Sequence, residues 1–408
     1  MSGTMSRRGT ASATGLSADV LVIGAGVTGG ALACALAQAG VRVIAVDRDP
    51  PSVGVSFLSP VSRRLLEAVG VWDEVEAEAG AIRDLRVADG GSPLFLHVGQ
   101  ADTGGDPLAW SVESRVVRRA LRRRMAALDT ATLIAPAGVT SLRTEGDGAV
   151  VVLEDGRQVR GRLLVAADGR DSPTRAAAGI GVTRRASRRT AIVTTVAHGS
   201  PHEGVACEHF LAGGPLAVLP LAGDRSAILW TEDEERAATL VGLRDDAFLT
   251  ELARHLDGRL GRLRSLGPRR ADPLVVQVAD RHVGRRLALV GDAAHAVPPV
   301  AGQGVTLGLR DAAILAELVV ETSRLGLDVG DSPLLARYQR RRRGDTVATA
   351  LLIDGVMRLF TSDRALPRLG RDIGLAVVNA LPPLKQLCLR RVLEGPADLP
   401  RLMRGEAL

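Results

Sequence analysis

Aromatic side chains are scarce in this sequence of 408 residues, which contains five Phe, three Trp and one Tyr. Proteins that bind single-stranded nucleic acid stack bases on aromatic side chains beside basic ones, so the scarcity argues against nucleic acid as a partner. Long apolar runs are also missing. No stretch of the sequence reaches the roughly 18 apolar residues of a membrane-spanning helix, so we do not expect one.

Cysteine is equally sparse, with Cys34, Cys207 and Cys388 far apart and no C-x-x-C pair. This pattern argues against a disulfide framework or a cysteine metal site and fits a reducing cytoplasm. The seven histidines show no metal-ligand spacing, and no G-x-S-x-G motif is present. We therefore expect neither a metal centre nor a serine hydrolase.

What the sequence does contain is a glycine fingerprint in DVLVIGAGVTGGALACALAQAGVRVIAVDRD (19–49). An apolar strand runs into Gly24, Gly26 and Gly29 at the G-x-G-x-x-G spacing, a helical segment follows, and a second apolar strand ends at Asp47. The first glycine makes the turn, the second lets the backbone approach a pyrophosphate, and the third lets helix and strand pack closely. An acid near the position of Asp47 hydrogen-bonds a ribose hydroxyl. The sequence predicts a dinucleotide site.

Two later segments also join a short apolar strand to a turn that contains Asp and Gly. They are LLVAADGRDSPTR (163–175) and RLALVGDAAHAVPPVAGQGVTLGLRD (286–311). The second one continues through a Pro- and Gly-rich loop into a helix. Glycines let backbone N–H groups touch a ligand, and a helix start attracts anions, so this loop suits a large polar ligand.

Taken together, the three motifs resemble those of the FAD-dependent aromatic hydroxylases, also called group A flavoprotein monooxygenases. Four further segments narrow the resemblance to the branch that hydroxylates ubiquinone precursors: FLSPVSRRLLEAVGVWDEV (57–75), AWSVESRVVRRAL (109–121), HFLAGGPLAVLPL (209–221) and ARYQRRRRGD (336–345). The resemblance covers roughly residues 18 to 395. The chain departs from it at Thr306, where the family usually has Asn, and at Gly54, where Arg is frequent.

This resemblance implies FAD as the cofactor and assigns roles to individual residues. Asp292 is implied to bind the ribityl chain, Asp168 to serve both the flavin and the nicotinamide cofactor, and Gly302 and Gly304 to offer amides near the flavin ring. Arg115 either contacts a flavin phosphate or is an ordinary helix-surface residue, and Arg48 either stacks near the adenine or lies in solvent. The predicted cofactor-binding residues are Gly24, Gly26, Gly29, Asp47, Arg48, Arg115, Asp168, Gly169, Gly291, Asp292, Pro299, Gly302 and Gly304.

The resemblance also implies the reaction. NAD(P)H would reduce FAD, O2 would form a flavin hydroperoxide, and the distal oxygen would attack an electron-rich ring carbon in a dry cavity. Pro298 and Pro299, rigid and without an N–H, suit such a cavity. We can name no catalytic residue, because His295 fits a structural role and the single tyrosine, Tyr338, fits a packing role.

The resemblance to this branch implies hydroxylation of a lipophilic polyprenyl phenol in ubiquinone biosynthesis. The scarcity of aromatics is consistent with such a substrate, since a pocket lined by Leu, Val, Ile and Ala suits an isoprenoid tail. Three alternatives stay open: a polyketide or small aromatic acid as substrate, a flavin-bearing scaffold without turnover, and a reductase of isoprenoid double bonds.

The scattered motifs predict an α/β protein in which a Rossmann-like FAD-binding domain is interleaved with a β-sheet substrate domain and followed by a helical C-terminal segment. Residues 1–18 lack an acid and an apolar core, and we expect a disordered leader there, with a transit peptide as the alternative. We assign 19–75, 108–180 and 273–335 to the FAD-binding domain, 76–107 and 181–272 to the substrate domain, and 336–408 to C-terminal helices.

Positive charge is concentrated in that C-terminal segment. Residues 336–408 hold 14 basic and 7 acidic residues, a surplus of +7, whereas the whole chain carries +6. Two interpretations stay open: a solvated helix face, or contact with an anionic membrane surface. We expect a cytoplasmic protein that contacts the inner face of the membrane or joins a quinone-biosynthesis complex.

Overall fold

A computed structural model of the protein describes residues 16–50, 53–89, 95–256, 258–265, 267–298, 302–360, 374, 377–395 and 398–408. Within these residues the predicted α/β fold is confirmed, because two large β-sheets and a small three-stranded sheet are combined with helices that follow the predicted motifs.

In chain order the strands are β1 (Leu16–Ile23), β2 (Val43–Val46), β3 (Val55–Leu58), β4 (Gly80–Ile82), β5 (Asp84–Asp89), β6 (Phe95–Gly99), β7 (Ala109–Glu113), β8 (Ala131–Ile134), β9 (Val139–Glu145), β10 (Gly148–Leu153), β11 (Gln158–Ala166), β12 (Val182–His198), β13 (Val205–Leu211), β14 (Gly214–Leu221), β15 (Arg225–Asp233), β16 (Leu263–Ser265), β17 (Arg270–Ala279), β18 (Val283–Gly284), β19 (Leu287–Leu289) and β20 (His295–Ala296). The helices are α1 (Val27–Gln38), α2 (Pro60–Ala68), α3 (Trp72–Glu76), α4 (Ser114–Ala126), α5 (Pro173–Ala177), α6 (Glu234–Gly242), α7 (Asp245–Ala253), α8 (Gln303–Arg324), α9 (Ser332–Phe360) and α10 (Pro382–Leu393).

The first sheet carries all three predicted turns. Its parallel strands follow the order β8, β2, β1, β11, β19, and β18, β10 and β9 extend it by antiparallel pairing. The parallel strands are apolar on both faces because both faces are covered. Val20 and Val22 of β1 pack in the core shared with α1, α4 and α8, whereas Leu21 and Ile23 pack with the β9–β10 hairpin. The turns after β1, β11 and β19 therefore meet at one edge of the sheet.

The second sheet follows the order β20, β17, β12, β15, β14, β13, β5, β6, with β16 on β12. Its strands pair antiparallel except for β13 and β5, which are parallel. Helices α6 and α7 cover one face through Leu240, Phe248 and Leu252, which pack against Ile192 and Trp230. The opposite face is left for the site described below. Strands β3, β7 and β4 form the small sheet.

Three of the predicted boundaries fall within single elements of secondary structure. Residues 16–18, which we placed in the leader, begin β1 and pair with Val159–Gly161 of β11, a partner too distant in sequence for the local pattern to reveal; residues 1–15 lie outside the described residues. The boundary at 273 falls inside β17, which pairs with β12 and keeps residues up to Ala279 in the second sheet. The boundary at 336 falls inside α9, which begins at Ser332.

The described part of the C-terminal segment contains α9, α10 and a 3-10 turn over Arg401–Arg404. The 3-10 turn packs on α2, where Arg64 Nε donates to the Met403 carbonyl over 2.9 Å. In the described part of the chain, no helix combines the length and the apolar character needed to cross a lipid bilayer.

Candidate functional site

The glycine fingerprint forms the turn from β1 into α1, and a side chain would meet different surroundings at each of its three glycines. Gly24 has φ 100°, and a side chain on it would collide with the Ala167 carbonyl oxygen. A side chain on Gly29 would collide with the Gly24 carbonyl oxygen. Gly26 has φ −70°, and a Cβ there would meet no protein atom within 4 Å. The protein itself does not need glycine at position 26, so the open space beside this helix start indicates a ligand.

Asp47 follows β2 as predicted, yet its carboxylate is 7% exposed and already engaged. Oδ2 accepts the Ala25 N–H over 2.6 Å, and Oδ1 accepts the Asp49 N–H over 2.6 Å and Arg122 Nη2 over 3.2 Å. Asp47 therefore fixes the fingerprint turn from below, and any contact with a ribose has to use the remaining lone pairs.

The two arginines named in the sequence lie in different places. Arg48 is exposed and lines the cleft beside the fingerprint. Arg115 is exposed, pairs with Glu113 at 2.7 Å, and is absent from the described walls of the three cavities defined below. Arg118, one helical turn further along α4, lines the cleft instead and donates to the Pro50 carbonyl over 2.7 Å. The sequence analysis singled out Arg115 and missed Arg118.

Asp168 and Gly169 form the turn after β11. Asp168 accepts hydrogen bonds from the Ser172 hydroxyl and, over 3.0 Å, from the Thr174 N–H, so its carboxylate holds the start of α5. Gly169 has φ 90°, a conformation that favours glycine. Asp168 is only half-buried and remains accessible from the cleft.

Arg175 ties this turn to the third motif. Its buried Nη1 donates to the Arg170 carbonyl and to the Ala293 carbonyl, over 2.9 Å in each case. Burial lowers the pKa of Arg175, although Asp168 and Asp171 oppose the change. Two turns more than a hundred residues apart in sequence are thereby held in a fixed relation.

The third turn, after β19, is anchored from beneath by Asp311 of α8. This carboxylate is fully buried and accepts from the Gly291 N–H over 2.8 Å, from His295 Nε2 over 2.6 Å and from Arg342 Nε over 2.5 Å. Burial raises its pKa, but His295 and Arg342 outweigh burial and hold the pKa well below its ordinary value. His295 is thus committed to a buried ion-pair network, with its ring 1% exposed.

Asp292 points the other way, into the cleft, where its side chain is exposed. The surrounding walls nevertheless remove water, and this desolvation raises the pKa of Asp292 against the opposing effects of His295 and Arg170. A carboxylate held in such a place suits hydrogen bonding to hydroxyl groups of a ligand.

The loop after the third turn leads into α8. Pro299 lies outside the described residues. Gly302 precedes the helix with φ 62°, and a side chain on it would collide with the ring of Phe57. Gly304 lies within the first turn of α8, and both glycines line the same cavity. Thr306, the departure from the family pattern, is turned inward and lies 3.2 Å from the hydroxyls of both Ser59 and Ser62.

Nine of the predicted cofactor-binding residues line a chain of three connected cavities, whereas Gly29, Arg115 and Gly291 do not. The fingerprint cleft, of about 340 Å³, contains Gly24, Gly26, Asp47 and Arg118 in its walls. It shares Arg48, Asp168 and Gly169 with the middle cleft, of about 570 Å³, which Gly54, Ser114 and Pro298 also line. The middle cleft in turn shares Val55, Leu229, Asp292 and Val297 with an aliphatic pocket of about 260 Å³.

The aliphatic pocket lies between the second sheet, the start of α8 and the inner side of α10. Its walls are aliphatic apart from Phe57 and two acids, Glu208 and Asp292; Cys207 also lines it, but its thiol lies on the α6–α7 side of the sheet, beside Arg259. Burial raises the pKa of Glu208 to about 7. Sequence reasoning missed Glu208; the available signal was an acid on the same face of the apolar strand VACEHFL as Ala206.

No group of three His, Cys, Asp or Glu side chains among the described residues is arranged to hold a metal ion. A group that fits the donors present is instead a dinucleotide. Backbone amides and open space at Gly26 suit a pyrophosphate, and the carboxylates of Asp168 and Asp292 suit hydroxyl groups further along the cleft.

Comparisons with known proteins agree with this geometry. The sequence model described as "FAD binding domain" matches residues 17–352. The chain is 46% identical to ubiquinone hydroxylase UbiL of Rhodospirillum rubrum over 96% of this chain and 94% of UbiL. It is 31% identical to 3-demethoxyubiquinol 3-hydroxylase of Escherichia coli over 92% of this chain and 98% of the relative.

The fold is also shared with solved structures. The crystal structure of p-nitrophenol 4-monooxygenase PnpA from Pseudomonas putida superposes with a TM-score of 0.79 at 18% identity, over 94% of this chain and 100% of that chain. The cofactor of the matched domain is FAD. The chain therefore belongs to the FAD-dependent aromatic hydroxylases, in the branch of the ubiquinone hydroxylases.

Proposed function

We propose that this protein hydroxylates the aromatic ring of a polyprenyl phenol in ubiquinone biosynthesis, with FAD, NAD(P)H and O2. The observation that carries the proposal is the continuous passage from the fingerprint cleft, through the middle cleft, to the aliphatic pocket. A cleft for the cofactor and an aliphatic pocket for the substrate are thus joined at Asp292. The names of the relatives, ubiquinone hydroxylase and 3-demethoxyubiquinol 3-hydroxylase, support this class of substrate.

In this proposal the first sheet and its helices form the FAD-binding domain, and the second sheet forms the substrate domain. Gly24, Gly26 and Gly29 receive the pyrophosphate at the start of α1, and the ribityl hydroxyls lie at Asp292. When bound, FAD supplies the redox chemistry that activates O2. The chain's own part is to hold the dinucleotide between three fixed turns, two of which Arg175 joins through the Ala293 carbonyl.

The nicotinamide cofactor would approach through the middle cleft, because the sequence contains only one glycine fingerprint and so offers it no separate domain. Arg48, Arg170 and Arg270 line that cleft, where Arg170 pairs with Asp171 and Arg270 with Asp272. Arg48 pairs with no carboxylate among the described residues, and its charge suits a phosphate-bearing ligand. Asp168 lies between these arginines and the fingerprint and can contact either cofactor.

The aliphatic pocket would take the phenol ring, and the isoprenoid tail would leave it along α10, where Leu389 and Leu393 form the wall. Aliphatic walls exclude water from the reacting ring, which protects the oxygen-transfer step from hydrolysis. Pro298 and Val297 help to close the side that faces the middle cleft.

The outer side of the same region suits contact with a membrane surface or with another protein of a quinone-biosynthesis complex. Among the described residues from 351 to 392, seven large apolar side chains are exposed: Leu351, Leu352, Leu359, Val377, Leu381, Leu387 and Val392. On α10 the exposed Arg390 and Arg391 accompany Leu387. Apolar side chains beside arginines are typical of helices that lie at anionic lipid surfaces.

The test is turnover by the purified full-length protein loaded with FAD. Oxidation of NADH and of NADPH is followed with ortho-geranylphenol, with phenol, and without either, and the products are analysed by mass spectrometry under isotope-labelled O2. We expect geranylphenol to accelerate nicotinamide oxidation and to gain one labelled oxygen atom. Equal turnover of tail-less phenol would contradict the polyprenyl substrate, and a protein that takes up no flavin would contradict the whole proposal.

Membrane contact is tested separately by sedimentation with vesicles of neutral lipid or with added anionic lipid. We expect binding that needs the anionic lipid and weakens in Arg390→Glu/Arg391→Glu, whereas a matched change at the exposed Arg244 and Arg254 of the α7 region leaves it unchanged. Equal binding by both double variants would contradict the role of α10.

A further inference from the structure

The aliphatic pocket contains a carboxylate that the proposed function has not yet used. Glu208 lies on β13, and its side chain is on the face of the second sheet that helices α6 and α7 leave uncovered. No hydrogen bond or ion pair to the Glu208 carboxylate occurs among the described residues. Among the described elements around it, the other titratable side chain that faces the pocket is Asp292; the thiol of the neighbouring Cys207 lies on the α6–α7 side of the sheet, beside Arg259.

A carboxylate without a partner is costly to place in an apolar wall, because its charged form loses hydration and gains nothing in return. Desolvation alone raises the pKa of Glu208 from 4.5 to about 7. This change makes the carboxylate a stronger base by a factor of about 300, and it brings the pKa to the range in which a general base works best at neutral pH.

The strand register shows where Glu208 lies relative to the flavin seat. Glu208 pairs with Ala217 of β14, Ala217 pairs with Leu229 of β15, and Leu229 pairs with Val193 of β12. Leu229 lines both the aliphatic pocket and the middle cleft, at the junction that Asp292 marks. Two strand spacings, about 10 Å, separate Glu208 from Leu229. That gap accommodates one phenol ring, with its hydroxyl toward Glu208 and the opposite carbon toward the flavin seat.

We propose that Glu208 is the base that takes the proton from the substrate hydroxyl during hydroxylation. The inference rests on the proposed function, since it requires a phenol in the aliphatic pocket. Among the described residues, no other group is as well suited to act as this base. Burial raises the pKa of the Cys207 thiol, and the Tyr338 hydroxyl is fully buried and donates to the Leu289 carbonyl over 2.8 Å.

Atoms and electrons are conserved in this step. The O–H bond of the phenol breaks, the proton passes to a Glu208 oxygen, and the electron pair stays on the phenol oxygen. A ring carbon then uses an electron pair to bond the distal oxygen of the O2-derived peroxide, the O–O bond breaks and leaves its electron pair on the other peroxide oxygen, and the phenol oxygen becomes a carbonyl. Glu208 returns its proton to that oxygen, and the ring carbon releases its hydrogen to water as a proton, which restores the aromatic ring.

The first measurement is the pH dependence of kcat/KM for the hydroxylation of ortho-geranylphenol. It compares the wild type with Glu208→Gln, Glu208→Asp and the matched control Glu234→Gln, which changes an exposed acid of α6. In the wild type and the control, kcat/KM should rise with pH along a single limb of the pH profile, whose midpoint lies near 7. Glu208→Gln should lose about 10²- to 10³-fold of product formation and lose this limb, while flavin content stays normal. Glu208→Asp should keep a limb with a displaced midpoint.

Retention of the limb in Glu208→Gln, or hydroxylation within threefold of wild type, would overturn the proposal. If Glu208→Gln fails to hold flavin, the Glu208→Asp profile decides, and an unchanged midpoint there counts against a base. A merely structural role would alter stability without moving the limb.

A second measurement does not depend on turnover and uses a geranyl-substituted nitrophenol, whose anion absorbs visible light. At pH 7 the bound probe should be partly ionised in the wild type, which passes its proton to Glu208, and should stay protonated in Glu208→Gln. Equal spectra in both proteins would overturn the inference. If the wild type ionises the probe yet hydroxylates no geranylphenol, the proposed substrate fails while Glu208 remains a base.

Discussion

Replacing Asp311 by Asn should loosen the third turn and weaken FAD binding. Asp311 is 0% exposed and accepts three hydrogen bonds, from the Gly291 N–H, His295 and Arg342. Asn keeps the volume but removes the charge and offers an N–H2 group to donors. Breaking a buried ion pair costs about 3–5 kcal/mol. Arg342 keeps Asp345 at 2.6 Å as a partner, so we expect the lower end, about 3 kcal/mol.

The size of the thermal shift follows from the length of the chain. With an unfolding entropy of about 2.1 cal/mol/K per residue, a loss of about 3 kcal/mol over 408 residues lowers the melting temperature by about 3–4 °C, if the protein unfolds as one unit. Losing the support of one charge-assisted hydrogen bond at the Gly291 turn should also raise the Kd for FAD about tenfold.

The assay is thermal unfolding of the apo- and holoproteins, followed by flavin titration, with the exposed Asp129→Asn as a control. Because the pKa of Asp311 is depressed in the folded protein, its stabilisation is present above the unfolded pKa near 3.9 and is lost as pH falls below it. The wild type should therefore lose more stability in acid than Asp311→Asn. A variant that melts with the wild type and binds flavin equally would refute the anchoring role of Asp311.

Four further substitutions can be tested. Gly26→Ala should fold with wild-type stability but bind FAD at least tenfold more weakly, whereas Gly24→Ala should destabilise the apoprotein itself, because its φ is 100° and Ala167 blocks the Cβ. Burial lowers the pKa of His282 to about 4, so stability should fall by up to about 3 kcal/mol as pH drops from 6.5 to 4, and His282→Leu should remove this slope in urea titrations. The pH dependence that Glu208 contributes has the opposite sign. Because its pKa is raised in the folded protein, the free energy of unfolding should fall by up to about 3 kcal/mol as pH rises from 4.5 through 7, and Glu208→Gln should be more stable than the wild type at pH 8. Equal apoprotein stability of the two glycine variants, or an unchanged pH slope in either of the others, would contradict these expectations.

Local pattern was sufficient for the fold class and for the three turns. Gly24, Gly26 and Gly29 could be identified because a strand, a helix and a second strand follow each other within thirty residues. Asp292 could be placed because a short apolar strand ends beside it and a Gly-rich loop follows. These features depend on near neighbours in the sequence, which a linear pattern records.

Features that depend on distant pairing could not be predicted. Which face of α4 meets the fingerprint depends on how that helix packs, so the choice between Arg115 and Arg118 was beyond the sequence. Glu208 lies in the pocket only because β13, β14 and β15 align in one register. The Asp47 carboxylate was expected to face a ligand, but Ala25 and Arg122 already occupy much of it.

The position of the turns along the chain has a consequence for biosynthesis. The parallel strand β19 inserts beside β11 only after residue 289 exists, and the anchor of its turn, Asp311, comes later still. A nascent polypeptide that has emerged only as far as β17 contains the fingerprint, but neither the third turn nor Asp311, which anchors that turn. If the three turns hold FAD as proposed, the complete site forms only after about three quarters of translation, and a ribosome stalled earlier would display an incomplete nucleotide fold that competes poorly for FAD.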